Sequence, residues 1–151
     1  MNRKRKSESN RMQLCLPALS VNESVARAAV AVFCAQRTLQ AGELSDIKCA
    51  VSEAVTNCIV HAYANSMGMI YITVVLHPNE VCVVIKDKGC GIPDVQKARE
   101  PLYTTAPENE RSGMGFTVME SFTDRMRVRS RVGKGTTVVL IKSLDGRRQD
   151  R

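Results

Sequence analysis

Three polar side chains, Glu53, Asn57 and His61, form the first pattern in the sequence that could do chemistry. They stand four residues apart, so a helix would present all three on one face while aliphatic residues fill the other. A neutral amide oxygen can bind Mg²⁺ without repelling nearby phosphates, and a carboxylate one turn away can orient or deprotonate a nucleophile. The spacing suits a metal-phosphate site, although an isolated stripe of this kind also fits a solvated helix face.

A first glycine-rich turn, residues 87–92, follows a run of alternating apolar residues. It places Asp87 at a strand end, followed by Gly89 and Gly91, whose backbone can adopt positive φ and let a planar group approach. A carboxylate there can accept the amino proton of adenine, whereas guanine offers only a carbonyl oxygen at that position. Taken alone, the D-x-G-x-G pattern fits an ordinary tight turn equally well.

A second glycine-rich turn, residues 111–116, leads into a predicted helix. Free amides at a helix N-terminus suit phosphate oxygens, which can approach closely because Gly113 and Gly115 have no side chains. Arg111 can add charge-assisted contacts. A plain loop-to-helix junction explains this pattern as well when it stands alone.

Periodicity predicts the elements that must position these residues. Ser20 and Glu23 have the spacing of a capping box, which would open the first helix. In chain order we expect a strand over 12–17, helices over 20–40 and 44–63, a hairpin over 70–85, a short helix over 94–99, a helix over 112–122, and two strands around the turn at 133–135. These elements predict an α+β fold, a two-layer sandwich with helices on one face of a mainly antiparallel mixed sheet.

Length and composition favour one folded domain. The 151 residues are 44% hydrophobic, enough for a sizeable core. We expect this domain to span 12–144, between a basic flexible tail over 1–11 and a flexible C-terminal tail over 145–151. The proline-rich stretch 101–111 is predicted to be a long loop, and long loops in compact domains are usually functional or disordered.

The formal charge of +7 lies mainly in the tails. Residues 12–141 carry 13 basic and 12 acidic side chains, so the folded part is nearly neutral. We therefore expect no direct nucleic-acid binding, although deletion of the 1–11 tail would test that alternative. The six cysteines are scattered without a C-x-x-C pair, and no apolar run is long enough to cross a bilayer. A cytoplasmic protein without membrane contact is expected.

The order of the motifs, completed by Gly135-Thr136, carries a family resemblance. Asn57, then D-x-G-x-G, then G-x-G, then G-T resembles the Bergerat-fold ATP-binding superfamily of histidine kinases, gyrases, heat-shock 90 chaperones and MutL-type proteins. No P-loop pattern G-x-x-x-x-G-K-[ST] is present. Three segments, 20–27 (SVNESVAR), 51–63 (VSEAVTNCIVHAY) and 101–116 (PLYTTAPENERSGMGF), narrow the resemblance to the anti-sigma F factors of spore-forming bacteria.

This resemblance implies both a function and its cofactors. Such a protein binds ATP with Mg²⁺, forms a homodimer and sequesters a sporulation sigma factor of the sigma-F type. It also acts as a serine kinase that phosphorylates, and so inactivates, an anti-anti-sigma factor. Two alternatives remain: an ATP-gated binding module without phosphoryl transfer, and a histidine-kinase fragment, which lacks support because only His61 and His77 are present.

The resemblance also assigns roles to residues. It implies that Glu53 is the catalytic base, that Asn57 is the magnesium ligand, and that Glu23 and Arg27 contact the protein partners. The segment 101–111 would be a lid over the nucleotide. The implied nucleotide-binding residues are Asn57, Asp87, Gly89, Gly91, Ile92, Thr105, Arg111, Ser112, Gly113, Met114, Gly115, Phe116 and Thr136.

Overall fold

A computed structural model describes residues 9–64, 66–101 and 115–144 of the chain. Within these ranges the elements are β1 Asn10–Pro17, α1 Asn22–Cys34, α2 Ala41–Asn57, β2 Met69–Leu76, β3 Glu80–Asp87, α3 Val95–Ala98, α4 Gly115–Ser121, β4 Arg125–Arg131 and β5 Gly135–Ser143. A π-helical turn, Cys58–Ala62, continues α2. Strand β1 includes Asn10 and Arg11, so it begins two residues before the predicted strand over 12–17.

The five described strands form one sheet in the order β1-β2-β3-β5-β4. Each neighbouring pair is antiparallel. The predicted hairpin is confirmed as β2 and β3, whose register pairs Ile72 with Ile85. The α+β class is confirmed, and the sheet pairings within the described ranges include no parallel one.

The core lies between the sheet and the helices α1, α2 and α4. Alternate residues of β2 and β3 are buried, as a half-buried strand requires. Helix α2 contributes Val51 and Val55, both fully buried, from the face opposite its polar stripe. Burial of these aliphatic side chains holds the helical layer on the sheet, at about 1.5–3 kcal/mol for each large side chain. None of the helices in the described part of the chain has the length and apolar character that a bilayer-spanning helix needs.

Helix α1 differs from its predicted bounds at both ends. It begins at Asn22 with Val21 as its N-cap, a residue whose side chain cannot cap the helix, and the carboxylate of Glu23 instead accepts a hydrogen bond from Ser52 on α2. The predicted capping box at residues 20–23 was therefore wrong. The helix also ends at Cys34 and does not reach Gln40. Its buried positions, four residues apart, end at Cys34, after which the chain turns toward α2.

Strand β4 carries a row of arginines on the face of the sheet away from the helices. Its other face packs Met126 and Val128 against the core. The exposed alternate residues are Arg125, Arg127, Arg129 and Arg131. Arg125 pairs with Glu80 at 3.1 Å, and no ion pair within the described residues involves the other three. Although residues 12–141 are nearly neutral in total, the β4 arginines make one face of the sheet positive. A count of charged residues along the chain cannot reveal this.

The close approach of β5 to the end of β3 generates a stability prediction at Gly135. Its φ is +111°, and a Cβ there would lie 2.1 Å from the carbonyl oxygen of Asp87. We expect Gly135→Ala to lower the free energy of unfolding by more than about 2 kcal/mol, measured by urea denaturation. The control is Gly42→Ala in α2, where a Cβ meets nothing within 4 Å and should stabilise by up to about 1 kcal/mol. Similar effects at both positions would contradict this account.

Candidate nucleotide-binding site

A cavity of about 380 Å³ opens where the C-terminal end of α2, the end of β3, the start of β5 and the start of α4 meet. This volume lies within the range of small-molecule sites. Its apolar wall includes Ala54, Ile85, Phe116 and Val138. The cavity therefore offers flat apolar contact beside a few polar groups, as a nucleotide base requires.

Asp87 is the polar centre of this cavity. It is 4% exposed, and its Oδ1 accepts hydrogen bonds from the backbone N–H groups of Gly89, at 2.9 Å, and Thr136, at 3.2 Å. Its Oδ2 lies 3.6 Å from the Sγ atom of Cys58. The two strong donors therefore hold Oδ1, while Oδ2 has only a weak thiol donor and retains capacity to accept from a ligand.

Burial raises the pKa of the Asp87 carboxyl above its ordinary value, because the charged form is desolvated. The hydrogen bonds from Gly89, Thr136 and Cys58 act in the opposite direction and stabilise the carboxylate. Burial also raises the pKa of the Cys58 thiol well above its ordinary value, with a further contribution from the Asp87 charge. The thiol therefore keeps its proton and faces the carboxylate as a donor.

The two glycines of the first turn are required by close packing. A Cβ on Gly89 would lie 2.3 Å from the carbonyl oxygen of Ala62, at the end of the π-helical turn. Gly91 has φ +77°, and a Cβ there would lie 2.2 Å from the carbonyl oxygen of Arg131. The N–H of Cys90 donates to Ala62 at 3.1 Å, which ties the turn to the end of the helix. These contacts hold the first glycine-rich turn, the end of the π-helical turn and the end of β4 close together around Asp87.

The end of α2 is shaped by the π-helical turn and by Tyr63. The N–H of Tyr63 donates to the carbonyl of Cys58 at 3.2 Å, five residues back, which widens the last turn. The Tyr63 hydroxyl accepts from the N–H of Lys88 at 2.7 Å and donates to the carbonyl of Met69 at 2.8 Å. This hydroxyl therefore joins the start of β2 to the residue that follows Asp87.

Ser130 joins the start of β5 to the first glycine turn. Its hydroxyl lies 2.8 Å from the hydroxyl of Thr136 and accepts from the N–H of Ile92 at 2.7 Å. It also donates to the carbonyl of Gly135 at 3.1 Å. These bonds fix the strand whose N–H contacts Asp87.

Asn57 lies beside Gly115, the last glycine of the second glycine-rich turn. A Cβ on Gly115 would come within 3.1 Å of Oδ1 of Asn57, so glycine lets α4 pass close to the carboxamide. The amide oxygen is a suitable hard ligand for Mg²⁺, which commonly takes its other ligands from substrate phosphates and water. Within the described residues, no group of three His, Cys, Asp or Glu could hold a metal. The chemistry of the Asn57 side chain therefore fits a single ligand to a magnesium ion.

The structure brings most of the predicted nucleotide-binding residues to one cavity. Those that line it are Asn57, Asp87, Gly91, Ile92, Gly115, Phe116 and Thr136. Gly89 contributes through its backbone N–H, which donates a hydrogen bond to Oδ1 of Asp87. The remaining predicted residues, Thr105, Arg111, Ser112, Gly113 and Met114, lie outside the described residues, as does most of the expected 101–111 lid.

Three further predicted residues lie on the helices beside the cavity. Glu53 is partly buried on α2, one turn before Asn57, and is not among the described residues that line the cavity. Glu23 and Arg27 lie on α1 and form an i,i+4 ion pair at 3.7 Å. The hydrogen bond from Ser52 to Glu23 links this pair to the residue that precedes Glu53.

Sequence reasoning missed the structural roles of Cys58, Tyr63 and Ser130. Cys58 is buried, and its contact with Asp87 depends on the packing of the end of α2 against β3, which residue spacing along the chain does not show. The role of Ser130 could have been suspected from the sequence, because this polar residue continues the alternation of Met126 and Val128, which face the core from β4.

Comparison with known proteins agrees with this fold. The family model of the histidine kinase-like ATPase domain matches residues 16–142. A solved structure of the RsbU and RsbW domains of a Mycobacterium tuberculosis protein superposes with a TM-score of 0.66 and 22% sequence identity. It covers 89% of this chain and 32% of that chain, and at this identity it supports the fold alone.

Closer relatives share most of their length with this chain. The anti-sigma F factor of Anoxybacillus flavithermus is 53% identical over 136 residues, covering 89% of this chain and 93% of the relative. That of a Geobacillus species is 54% identical over 134 residues, covering 88% and 92%. That of Clostridium acetobutylicum is 49% identical, covering 88% and 93%. The chain therefore belongs to the anti-sigma F factor family, within the histidine kinase-like ATPase domains.

Proposed function

We propose that this protein is an ATP-dependent anti-sigma factor and serine kinase. It sequesters a sporulation sigma factor when ATP is bound, and it phosphorylates a serine of an anti-anti-sigma factor. The observation that carries the nucleotide part is the asymmetric bonding of Asp87, a residue that lines the cavity: Oδ1 is held by two backbone donors, whereas Oδ2 has only the Cys58 thiol as a donor among the described residues. The family membership supports the sigma-factor part.

Adenine fits this arrangement by hydrogen-bond chemistry. Its amino group can donate to Oδ2 of Asp87, and its ring can lie against the apolar wall formed by Ala54, Ile85 and Val138. Guanine presents a carbonyl oxygen at the equivalent position, which would face the carboxylate without a proton between them. The pocket is therefore selective for adenine nucleotides.

The phosphates extend from the base toward Asn57 and the start of α4. Asn57 holds the magnesium ion that, when bound, neutralises phosphate charge. Arg111 and the amides of residues 113–115 complete the phosphate contacts in this proposal. The 101–111 lid closes over the nucleotide, so that ATP and ADP present different surfaces next to α1.

Glu53 serves the transfer step. The serine oxygen of the anti-anti-sigma factor forms a bond to the γ-phosphorus, the bond to the β–γ bridging oxygen breaks, and ADP leaves. The Glu53 carboxylate orients the serine hydroxyl and accepts its proton. One turn of helix separates Glu53 from Asn57, and this spacing supports a base near the phosphate end of the nucleotide.

Partner binding uses the outer surface of α1. The Arg27 side chain is 42% exposed, and its pairing with Glu23 presents both charges at the helix surface. The sigma factor and the anti-anti-sigma factor compete for this surface in the cytoplasm, on a homodimer of the chain. Competition explains how the anti-anti-sigma factor releases the sigma factor, and how its phosphorylation restores inhibition.

The first prediction of this proposal separates nucleotide affinity from stability at Asp87. Asp87→Asn replaces Oδ2 with a donor that opposes the adenine amino group, and the loss of ~1.5–3 kcal/mol should weaken ATP binding roughly 10–150-fold in calorimetry. The fold should survive, because the remaining amide oxygen can still accept from Gly89 and Thr136.

The pH dependence of that variant follows from the raised pKa of Asp87. A carboxyl whose pKa is raised on folding stabilises the protein below its unfolded pKa, and this contribution is lost as the pH rises through the folded pKa. Asp87→Asn should therefore be at least as stable as the wild type at pH 7, and any advantage should fade below about pH 4. Asp124→Asn, which changes a carboxylate that does not line the cavity, is the matched control for ATP affinity. Unchanged ATP binding in Asp87→Asn would refute the adenine assignment.

A second prediction concerns phosphoryl transfer. Glu53→Gln should slow transfer of labelled γ-phosphate to the anti-anti-sigma factor by roughly 10²–10⁴-fold, because the serine proton loses its acceptor. ATP affinity should change little, since the described cavity does not use Glu53. Asp46→Asn on the same helix, whose carboxylate pairs with Lys142, is the control that should keep the wild-type rate. If the wild type transfers no phosphate at all, the ATP-gated binding module replaces the kinase.

A third prediction concerns the α1 surface. Arg27→Ala should weaken binding of both the sigma factor and the anti-anti-sigma factor by about 2 kcal/mol, about 30-fold, while ATP affinity stays unchanged. The measurement is copurification of the sigma factor in ATP, followed by its release on addition of the anti-anti-sigma factor. Arg127→Ala, an exposed arginine on the opposite face of the sheet, is the control. Full sigma-factor retention by the Arg27 variant would place the interface elsewhere.

A further inference from the structure

Cys58 and Asp87 meet inside the cavity wall. Within the described residues the Cys58 thiol is the one hydrogen-bond partner of Oδ2, at 3.6 Å, whereas Oδ1 accepts two backbone N–H groups. Both side chains are buried, at 4% exposure each, so water competes little for this contact. The two oxygens of one carboxylate are therefore held by donors of very different strength.

The contact constrains which way the carboxylate faces. A protonated thiol next to a carboxylate can act only as a donor, and it contacts Oδ2, whereas the N–H groups of Gly89 and Thr136 contact Oδ1. Rotation of the carboxylate would break three hydrogen bonds together. Oδ2 is thus kept at the cavity, and a carboxylate oxygen that accepts one weak bond still has a lone pair for a second donor.

The sulfur also borders the space that the base would occupy, because Cys58 lines the same cavity as Asp87. With its proton directed to Oδ2, the thiol offers no donor to the carbonyl oxygen of a guanine. The adenine amino group can donate to the oriented acceptor Oδ2, whereas guanine would place its carbonyl oxygen against that carboxylate oxygen with no proton between them. The thiol therefore reinforces the difference between the two bases.

We propose that Cys58 is a positioning residue that fixes Oδ2 of Asp87 toward the cavity and thereby sets the preference for adenine over guanine. This inference deepens the proposed function and rests on the adenine site. It assigns the thiol a role in ligand selectivity, beyond its contribution to packing.

The test compares serine with alanine at position 58, because the two differ by one hydroxyl group. Affinities for ADP and GDP are measured by calorimetry for the wild type, Cys58→Ser and Cys58→Ala. Cys58→Ser should bind ADP at least as tightly as the wild type. Cys58→Ala should bind ADP roughly 3- to 10-fold more weakly, with GDP unchanged, so that the ratio of the two affinities falls by the same factor.

Two controls separate positioning from packing. Cys34→Ala removes a buried thiol from α1, which does not line the cavity, and should leave both affinities unchanged. Unfolding midpoints without nucleotide report any loss of stability on their own. The pair Cys58→Thr and Cys58→Val, of nearly equal volume, repeats the comparison if the alanine variant fails to fold.

The outcomes distinguish this inference from the proposed function. If the wild type prefers ADP but the serine and alanine variants bind it equally, the positioning role is wrong and the adenine site stands. An equal loss of ADP and GDP affinity in Cys58→Ala would likewise overturn it, because that result reports pocket shape. If the wild type shows no preference for ADP, the proposed function fails and this inference fails with it.

Discussion

The buried carboxylate of Asp87 is the group around which the other parts of the site are arranged. Burial opposes its ionised form, so the fold must bring donors to it, and they come from three elements: the turn after β3, the start of β5 and the end of α2. The N–H groups of Gly89 and Thr136 reach it because glycines at positions 89 and 135 let the backbones approach closely. The requirement to satisfy one buried charge therefore fixes the relative position of strand ends and helix end, and with it the shape of the cavity.

Glycine is needed at these positions because neighbouring backbones approach closely, more than because glycine is flexible. At Gly89 and Gly135 a Cβ would overlap the backbone of Ala62 and Asp87, respectively. Such packing makes the base end of the cavity rigid, which favours selection of one base over another. Asn57, at the other end, lies against Gly115, so the site joins a rigid base pocket to the first residue of α4.

Much of this arrangement could be predicted from residue patterns. Alternation in β2 and β3 predicted the hairpin, and the periodicity of α2 separated its polar stripe from its buried face. The early end of α1 at Cys34 could not be predicted, because its bounds depend on packing against α2 and the core. The positive face of β4 was missed for a related reason: net charge is a sum over the chain, whereas strand alternation sorts Arg125, Arg127, Arg129 and Arg131 to one side.

A crystal structure of the ADP complex tests the central claim most directly. The account predicts that the adenine amino nitrogen lies about 2.8–3.2 Å from Oδ2 of Asp87, with Oδ1 still bound to the N–H groups of Gly89 and Thr136. It also predicts that the base contacts the wall formed by Ala54 and Val138. A base bound elsewhere, or an Asp87 carboxylate that turns away from the amino group, would contradict it.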